Sequence, residues 1–443
     1  MPSTADRILR GWGRATASRA AVARPRDAGE LAEALAAAGP RGVLARGLGR
    51  AYGDAAQNAG GLVVDMTGVD GVRTFDAATG EVRVAAGTSL AALAAAVAPH
   101  GWFPPVVPGT AFVTVGGALA ADVHGKNHHV DGGFGRHVRR FTLVAPDGAA
   151  HAVTRESAGD VFDATVGGMG LTGVVEEATL QLVPLPSGAI REEITRADDL
   201  DDLLARMEAD DDRHRYSVAW VDAAAGGPRL GRGLLLRGDH TRDGDPPALP
   251  PARLRAPRWS PGGLLGPVTV RAFNALWLRA KPRAAAHGLT PLAGYFWPLD
   301  GVRGWNRLYG ARGLVQYQCV VPPGAERVLR RLLEDARAAG AVSPLAVLKR
   351  LGDGEGPLAF AMAGWTLALD FPAAALDLGP LLDRFDALVA EAGGRVYLAK
   401  DARMRPDALR AMYPRLAEWR AVRERLDPRG AMRSDLARRL ELA

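Results

Sequence analysis

The stretch that most constrains this chain runs from Pro108 to His129, PGTAFVTVGGALAADVHGKNHH. A Pro-Gly turn opens it, and the β-branched run Val113-Thr114-Val115 leads into Gly116-Gly117. A small-residue segment, Ala118 to Ala121, follows, and three histidines and a lysine then fall within six residues. Glycines let a backbone approach a large ligand closely, and consecutive N–H groups can hold phosphate oxygens. Imidazole and ammonium groups serve proton transfer and anion binding. A ligand carrying both a phosphate and a reactive ring would use both halves. The lysine is also unusual in this chain. Of 55 Lys plus Arg only Lys126, Lys281, Lys349 and Lys400 are lysine, so arginine is the generic cation and a compact, titratable ammonium marks a special need.

The 443 residues allow two domains, or one large domain with insertions. Hydrophobic content of 48% with 23% charged describes an ordinary globular protein. The formal charge of +6 and pI near 9.7 read as a mild excess spread along the chain. No basic block alternates with aromatics, which argues against nucleic acid and leaves an anionic substrate or membrane surface. One cysteine, Cys319, excludes an internal disulfide framework and a Cys-based metal cluster. The histidines from 124 to 129 lack a carboxylate pair at ligand spacing, so no metal is expected. Residues 1–10 lack the apolar core of a signal peptide, and no apolar run is long enough to span a bilayer. The expected location is cytoplasmic, peripheral at the plasma membrane; the alternative is its periplasmic, cell-wall face.

From Asp27 a helical pattern runs through Leu31, Leu35 and Ala38 to Gly39-Pro40. The apolar Val43-Leu44-Ala45 then enters Arg46-Gly47-Leu48-Gly49-Arg50-Ala51-Tyr52-Gly53-Asp54, a strand running into a glycine-rich turn. Its GxGxxxG spacing misses the dinucleotide fingerprint, yet with Gly116-Gly117 it supplies a second backbone cradle. Strand-like segments lie at 61–66 and 81–87, and Ser89 to His100 reads as a helix with Leu90, Leu93 and Val97 on one face.

The runs RGLGRAYGDAAQN, GLVVDMT, VPGTAFVTVGGALAADVHGKNHH, GGFGRHV and ATVGGMGLTGVV resemble the FAD domain of the vanillyl-alcohol-oxidase-type flavoproteins. Within them the likeness is to the decaprenylphosphoryl-ribose 2-oxidase branch, the flavin subunits of a ribose-to-arabinose epimerase. It continues through VAWVD, WNRLYG, LVQYQCVVP, GWTLALDFP, GGRVYLAKDAR, MYPRLAEWRAVRERLDP and SDLARRLEL, and so covers nearly the whole chain. The resemblance implies an α+β, two-domain PCMH-type FAD-binding fold with an antiparallel-sheet substrate domain. The FAD domain would span 1–185, the substrate domain 186–394, and 395–443 would return to the flavin, with Met412 to Asp427 as its helix. Residues 238–267, rich in Pro, Gly, Asp and Arg, read as a mobile lid, disordered without substrate.

The same resemblance implies noncovalent FAD. Carried over by position, its contacts are Ala45, Arg46, Gly47, Leu48, Gly49, Arg50, Ala51, Tyr52, Gly53, Asp54 and Ala55. Gly109, Thr114, Val115, Gly116, Gly117, Ala121, Asp122, Val123, His124, Val175 and Tyr397 complete the set. The implied reaction is oxidation of the 2-hydroxyl of a prenyl-phosphate ribose to a ketone, as the first half of an epimerisation toward the arabinose donor of a cell-wall arabinan. An NADH-dependent ketoreductase would act next, and a quinone or O2 would take the electrons. Lys400, Tyr52 and His124 are the implied catalytic residues, with Lys400 as base or as a cation facing the reduced ring. Lys126, Trp220, Gln316, Gln318, Lys349, Trp365, Thr366, Ala368 and Lys400 are the implied substrate contacts, and the two tryptophans would wall the pocket. Set against the resemblance, Trp365 alone reads as core, Gln316 and Gln318 could satisfy each other on one face of a strand, and His128, His129 and His137 read as structural hydrogen-bonders. Two positions depart from the branch. Trp365-Thr366-Leu367-Ala368 stands where relatives read Trp-Asn-Ile-Cys, so a thiol open to covalent nitroaromatic attack is missing and one polar contact differs. The alternatives are an alditol or aldonolactone oxidase acting on a soluble sugar or nucleoside, and a flavin-less binding protein that kept the fold.

Overall fold

The computed structural model describes residues 4–245, 254–257, 260, 265–281, 285–374 and 377–442. Its N-terminal half holds two main sheets and one short pair, Trp102–Phe103 with Val183–Pro184. Four strands stand in the order Thr4–Arg10, Ala17–Ala23, Leu62–Asp65, Val43–Arg46. The first pair is antiparallel and the other two contacts are parallel. Parallel neighbours need a crossover, which the helix Ala28–Ala36 supplies. Asp27 caps it by accepting from the Glu30 N–H, and Leu31, Ala34 and Leu35 face inward. They pack with Val43, Val64 and Met66 as a separate small core.

Five antiparallel strands form the second sheet, in the order Val72–Asp76, Glu81–Ala85, Val174–Gln181, Val138–Val144, Ala150–Thr154. Ser89 caps the helix Leu90–Val97, whose Leu90, Leu93, Ala94 and Val97 are buried. Beside it lies a short helix, Val115–Ala120, capped by Thr114. Its first turn is jammed against neighbouring backbone: a Cβ on Gly116 would meet the Ala86 Cβ at 2.9 Å. The N–H groups of Val115 and Gly116 donate to the carbonyls of Thr88 and Ala86, and that of Gly117 to Thr114 Oγ1.

The C-terminal half is built on one eight-stranded sheet, in the order Ala286–Pro291, Ala189–Ala197, Gly233–His240, Tyr216–Val221, Ala346–Leu351, Gly364–Pro372, Leu314–Val321, Arg395–Val396. Every neighbouring pair is antiparallel. The helices Glu326–Ala338 and Gly379–Glu391 cover one face, where Tyr317 meets the Phe385 ring and Trp365 donates to Glu326 Oε1. Strand alternation turns the intervening side chains to the opposite face, toward the N-terminal half. The fold is thus α+β, with its chemistry at the junction of its halves.

Two expectations change. Residues 238–240, read as the start of a lid, complete the strand Gly233–His240 paired to Ala189–Ala197; of the remainder, residues 246–253, 258–259 and 261–264 lie outside the described residues. The helix expected from Met412 to Asp427 spans Leu416–Leu426; it starts later because Pro414 cannot continue a helix and biases Tyr413 away from helical geometry, which also ends the preceding helix Pro406–Met412.

After Arg395–Val396 closes the edge of the large sheet, the chain crosses back. The Tyr52 N–H donates to the Ala399 carbonyl at 3.0 Å and Tyr397 Oη donates to the Ala121 carbonyl at 2.7 Å. Buried Trp419 donates to the Ala164 carbonyl. Arg439 grips Asp54 through two hydrogen bonds, at 2.8 and 2.9 Å, and pairs with Asp401 at 2.9 Å. Both carboxylates are nearly fully buried, so losing the guanidinium strands two charges. Arg439→Met is expected to lower folding stability by about 3 kcal/mol, read from urea unfolding followed by circular dichroism. A loss below about 0.5 kcal/mol, the scale of ordinary surface changes, would show that this clamp is solvated.

Candidate active site

The first glycine segment forms an open cradle. Among the described residues the N–H groups of Gly47, Leu48, Gly49, Arg50 and Ala51 have no protein acceptor. Gly49 adopts φ +65°, which favours glycine. Gly47 is required for contact with the second segment, since a Cβ there would lie 2.2 Å from Thr114 Oγ1. Arg46 braces the loop from behind, donating to the carbonyls of Ala56 and Arg10. Arg50 stacks on Trp12 at 3.9 Å while its buried Nε lacks a partner. Five free N–H groups and an unsatisfied guanidinium suit a diphosphate, the group an FAD-sized cofactor brings.

The two glycine segments therefore have different roles. The free donors lie at 47–51, whereas the Val115, Gly116 and Gly117 N–H groups are spent inside the fold, so this pair serves close packing rather than phosphate binding. Other implied cofactor residues also brace the site by their side chains. The Asp54 carboxylate is held by Arg439. The Asp122 carboxylate accepts from the Gly135 N–H at 2.9 Å, and burial raises its pKa to about 6. Ala55, Val115, Val123 and Val175 are buried in the core, which leaves only their backbone to a ligand. Gly109 has open space around it.

Beyond the cradle lies an aromatic recess. The His124 ring is 5.0 Å from Tyr397 and 5.5 Å from Phe360, and Phe360 stacks on Tyr397 at 4.6 Å. A narrow cleft runs past Ala121, Gly167, Met169, Leu358, Phe360 and Tyr397. His124 Nε2 and Gln318 Nε2 are 2.8 Å apart, so Gln318 donates to a neutral imidazole; Nδ1 is buried without a partner. Burial, then the nearby Lys349, holds the His124 pKa well below its ordinary value. This flat, apolar-walled recess with one unspent ring nitrogen fits a flavin ring system.

The large sheet closes the site from the other side. Its register aligns Gln316 with Asp370, Gln318 with Ala368, Lys349 with Thr366 and Trp220 with Val347. These residues share one face with Thr366 and Ala368. Trp365 has the opposite parity and lies under the helix Glu326–Ala338, so only Trp220 of the two expected walls is on the site face. Gln316 and Gln318 do not satisfy each other: Gln316 donates to Asp370 Oδ1, and Gln318 serves His124 and Thr366 Oγ1.

Three lysines converge here. Lys126 Nζ donates to the Tyr295 carbonyl at 2.5 Å and lies 3.9 Å from that ring's centre. Lys349 Nζ donates to the Gly125 carbonyl at 3.2 Å, and Lys400 Nζ lies 3.9 Å over the Tyr52 ring. Burial pushes all three down, to about 8 for Lys126, about 7 for Lys349 and about 8 for Lys400. Lys349 is lowered further by Lys400 and Lys126. Asp370 is the counter-charge to Lys400; burial raises it to about 6, while Gln316, Tyr309 and Lys400 oppose the rise. The Tyr52 hydroxyl is pushed well above its usual range by burial, then by Asp370.

Sequence reasoning missed Asp370. Its signal was its parity: in Gly364–Pro372 it alternates with Thr366 and Ala368, the only carboxylate in an apolar strand. His128, His129 and His137 are structural, meeting the Gly352 N–H, the carbonyls of Asp211 and His214, and the Asp131 carbonyl. Among the described residues no cluster of His, Cys, Asp or Glu could hold a metal ion.

Residues 19–154 match the family model described as FAD binding domain, and residues 375–440 match D-arabinono-1,4-lactone oxidase. The chain is 40% identical to a Mycolicibacterium smegmatis protein named decaprenylphosphoryl-beta-D-ribose oxidase, over 100% of this chain and 98% of that one. It is 45% identical to an uncharacterised Streptomyces coelicolor protein over 79% of this chain and 99% of the other. A Mycobacterium tuberculosis L-gulono-1,4-lactone dehydrogenase is 32% identical over 40% of this chain and 41% of its own. With a cradle and recess suited to FAD and full-length similarity of this order, the chain belongs to the decaprenylphosphoryl-beta-D-ribose oxidase family of FAD-dependent oxidoreductases.

Proposed function

We propose that this protein oxidises the 2-hydroxyl of a polyprenylphosphoryl-β-D-ribose to the 2-keto sugar. The carrying observation is the convergence of three buried lysines beside a neutral histidine, facing a cofactor recess. Two buried carboxylates, Asp370 facing Lys400 and Glu192 near Lys126, leave Lys349 without a counter-charge, so the cleft is completed by an anion. A sugar phosphate is such an anion, and it carries the alcohol to be oxidised. FAD, when bound, supplies the acceptor for the hydride lost from the carbinol carbon. The N–H groups of Gly47 to Ala51 and Arg50 would hold its diphosphate, and His124, Phe360 and Tyr397 would flank its ring.

The chain's own residues divide the remaining work. Lys126 and Lys349 hold the phosphate. Lys400, with a pKa brought close to neutrality, is partly neutral at mildly alkaline pH and accepts the hydroxyl proton at Nζ. A base near the working pH contributes most. Asp370 steadies the ammonium that results. Tyr52, whose hydroxyl stays protonated, orients the substrate hydroxyl, and Gln316 ties Tyr52 to Asp370. Trp220, Gln318 and Thr366 shape the sugar pocket, and Ala368 leaves it without a thiol. The ketone passes to an NADH-dependent reductase that completes epimerisation, and a quinone or O2 takes the electrons at a membrane surface. The carboxyl-terminal match to a lactone oxidase favours a soluble aldonolactone or alditol as the second reading.

Three outcomes are expected. Acid precipitation should release all of the flavin into the supernatant, since the FAD is read as noncovalent; yellow colour in the pellet would contradict this. Lys400→Ala should retain FAD yet slow anaerobic flavin reduction by the ribosyl substrate by roughly 10²-fold. Lys400→Arg should rescue little, because guanidinium does not deprotonate; wild-type rates in Lys400→Ala would remove Lys400 from the mechanism, and turnover only with soluble lactones would favour the second reading. The lysine shifts set a pH trend. Their folded values lie below the ordinary 10.5, so stability from their neutral state is present above that value and lost as pH falls toward about 7. An anion needs the charged form, so KM for a ribosyl phosphate should rise as pH climbs from about 7 to 9. Lys349→Met should raise KM at low pH and flatten that rise; an unchanged profile would exclude Lys349 from phosphate binding.

A further inference from the structure

We propose that the helix Pro267–Arg279 is a docking element that lies flat on an anionic lipid bilayer beside the mouth of the cleft. The helix is held to the large-sheet half by a narrow stripe at four-residue spacing. Val270 packs with Ala224 and Val342, Asn274 donates to Asp222 Oδ1 at 2.7 Å, and Leu278 is buried. The rest of its circumference is inverted for a surface helix, which should be polar there. Val268 is 77% exposed, Leu276 65%, Phe273 59% and Trp277 41%. The rings of Phe273 and Trp277 stack at 6.2 Å, and Lys281 Nζ lies 4.7 Å from the Trp277 ring centre. A contiguous apolar patch of this kind marks an interaction surface.

Charge identifies the occupant. Residues 246–299 contain seven Lys and Arg and no Asp or Glu. Taking these seven from the chain's 55 leaves 48 basic against 49 acidic residues, so the positive excess is not spread along the chain: it belongs to this segment. Arg255, Arg271 and Arg279 are exposed on its described part. Aromatic and aliphatic side chains framed by arginine and lysine, with no carboxylate, form the composition of a helix lying in a membrane interface. A second copy is disfavoured, because a two-fold contact would oppose the same cations. Position gives the docking a use. Leu265, at the foot of the helix, packs against the cluster of Trp305, Tyr309 and Leu314, against which Tyr52 of the site also packs, so the helix springs from beside the wall of the cleft. Leu254, 65% exposed, stands nearby on Leu254–Arg255, paired to Val302–Arg303.

The benefit of docking rests on the prenyl-linked reading of the substrate; the docking itself does not. The test is co-sedimentation of the FAD-loaded protein with vesicles of phosphatidylcholine alone, or of phosphatidylcholine and phosphatidylglycerol in equal parts. Binding to the anionic vesicles is expected to be on the order of tenfold tighter, and to weaken as salt is raised. The double substitution Phe273→Ser with Trp277→Ser should lose at least about tenfold of that binding. Both side chains are exposed, so its melting temperature and its turnover of a short-prenyl, water-soluble ribosyl phosphate should match wild type. Wild-type protein that ignores anionic vesicles, or binds neutral ones equally well, overturns the proposal. So does a double variant that binds undiminished, or sedimentation velocity showing that the substitution abolishes a wild-type dimer. Failure to oxidise any ribosyl phosphate would fell the substrate reading and leave the vesicle result standing.

Discussion

The interaction on which the rest depends is the burial of three ammonium groups with two carboxylates, Asp370 and Glu192. Taking a charge from water into a protein interior costs several kcal/mol unless it is paired, and the cleft offers Asp370 to Lys400 and Glu192 to Lys126 but no carboxylate to Lys349. The ammonium hydrogen bonds of Lys126 and Lys349 go to carbonyl oxygens, of Tyr295 and Gly125. A carbonyl stabilises an ammonium but does not cancel it. Burial lowers all three lysine pKa values, and at Lys349 the neighbouring Lys400 and Lys126 lower it further, so an anion bound there relieves a repulsion that no carboxylate cancels. The scaffold tolerates it because each lysine leaves a different element: the loop after the short helix, a central strand, and the returning tail.

That convergence needs the chain to cross between its halves and come back. The strand Arg395–Val396 completes the edge of the large sheet, and four residues later Lys400 faces Tyr52 of the glycine loop. The Tyr52-to-Ala399 hydrogen bond and the Arg439 clamp on Asp54 and Asp401 fix this return. The cradle thus obtains its rigidity from residues nearly four hundred positions away in sequence (Asp54 and Arg439 are separated by 385). Its own glycines provide only the free N–H groups.

Much of this was legible in the order of residues, for reasons that differ by element. The capped helix at Asp27 and the apolar face Leu90, Leu93, Val97 follow from local rules, and the structure keeps both. The importance of the glycine pairs was visible; their division of labour was not. Whether an N–H is free depends on which carbonyl lies opposite, and Ala86 and Thr88 are distant in sequence from Gly116. Trp365 and Thr366 could not both face the sugar pocket, since adjacent strand residues point to opposite faces; attention to parity would have removed Trp365 and found Asp370. Gln316 and Gln318 share a face, as their spacing requires, but each has a different partner, set by register against the neighbouring strand.

The distribution of charge joins the cleft to the surface helix. Outside residues 246–299 the chain is close to neutral, so its field is concentrated around one element and one cleft rather than over the whole molecule. A prenyl-phosphate sugar in a bilayer presents an anion at the level of the lipid headgroups, with its tail below. A helix seated in that interface brings Leu265 and the aromatic wall at Trp305 and Tyr309 to the same level. A soluble aldonolactone has neither the anion nor the tail, so it would use neither the unbalanced lysines nor the exposed face of Phe273 and Trp277. Two separate features of the molecule, one buried and one exposed, are thus accounted for by one kind of substrate.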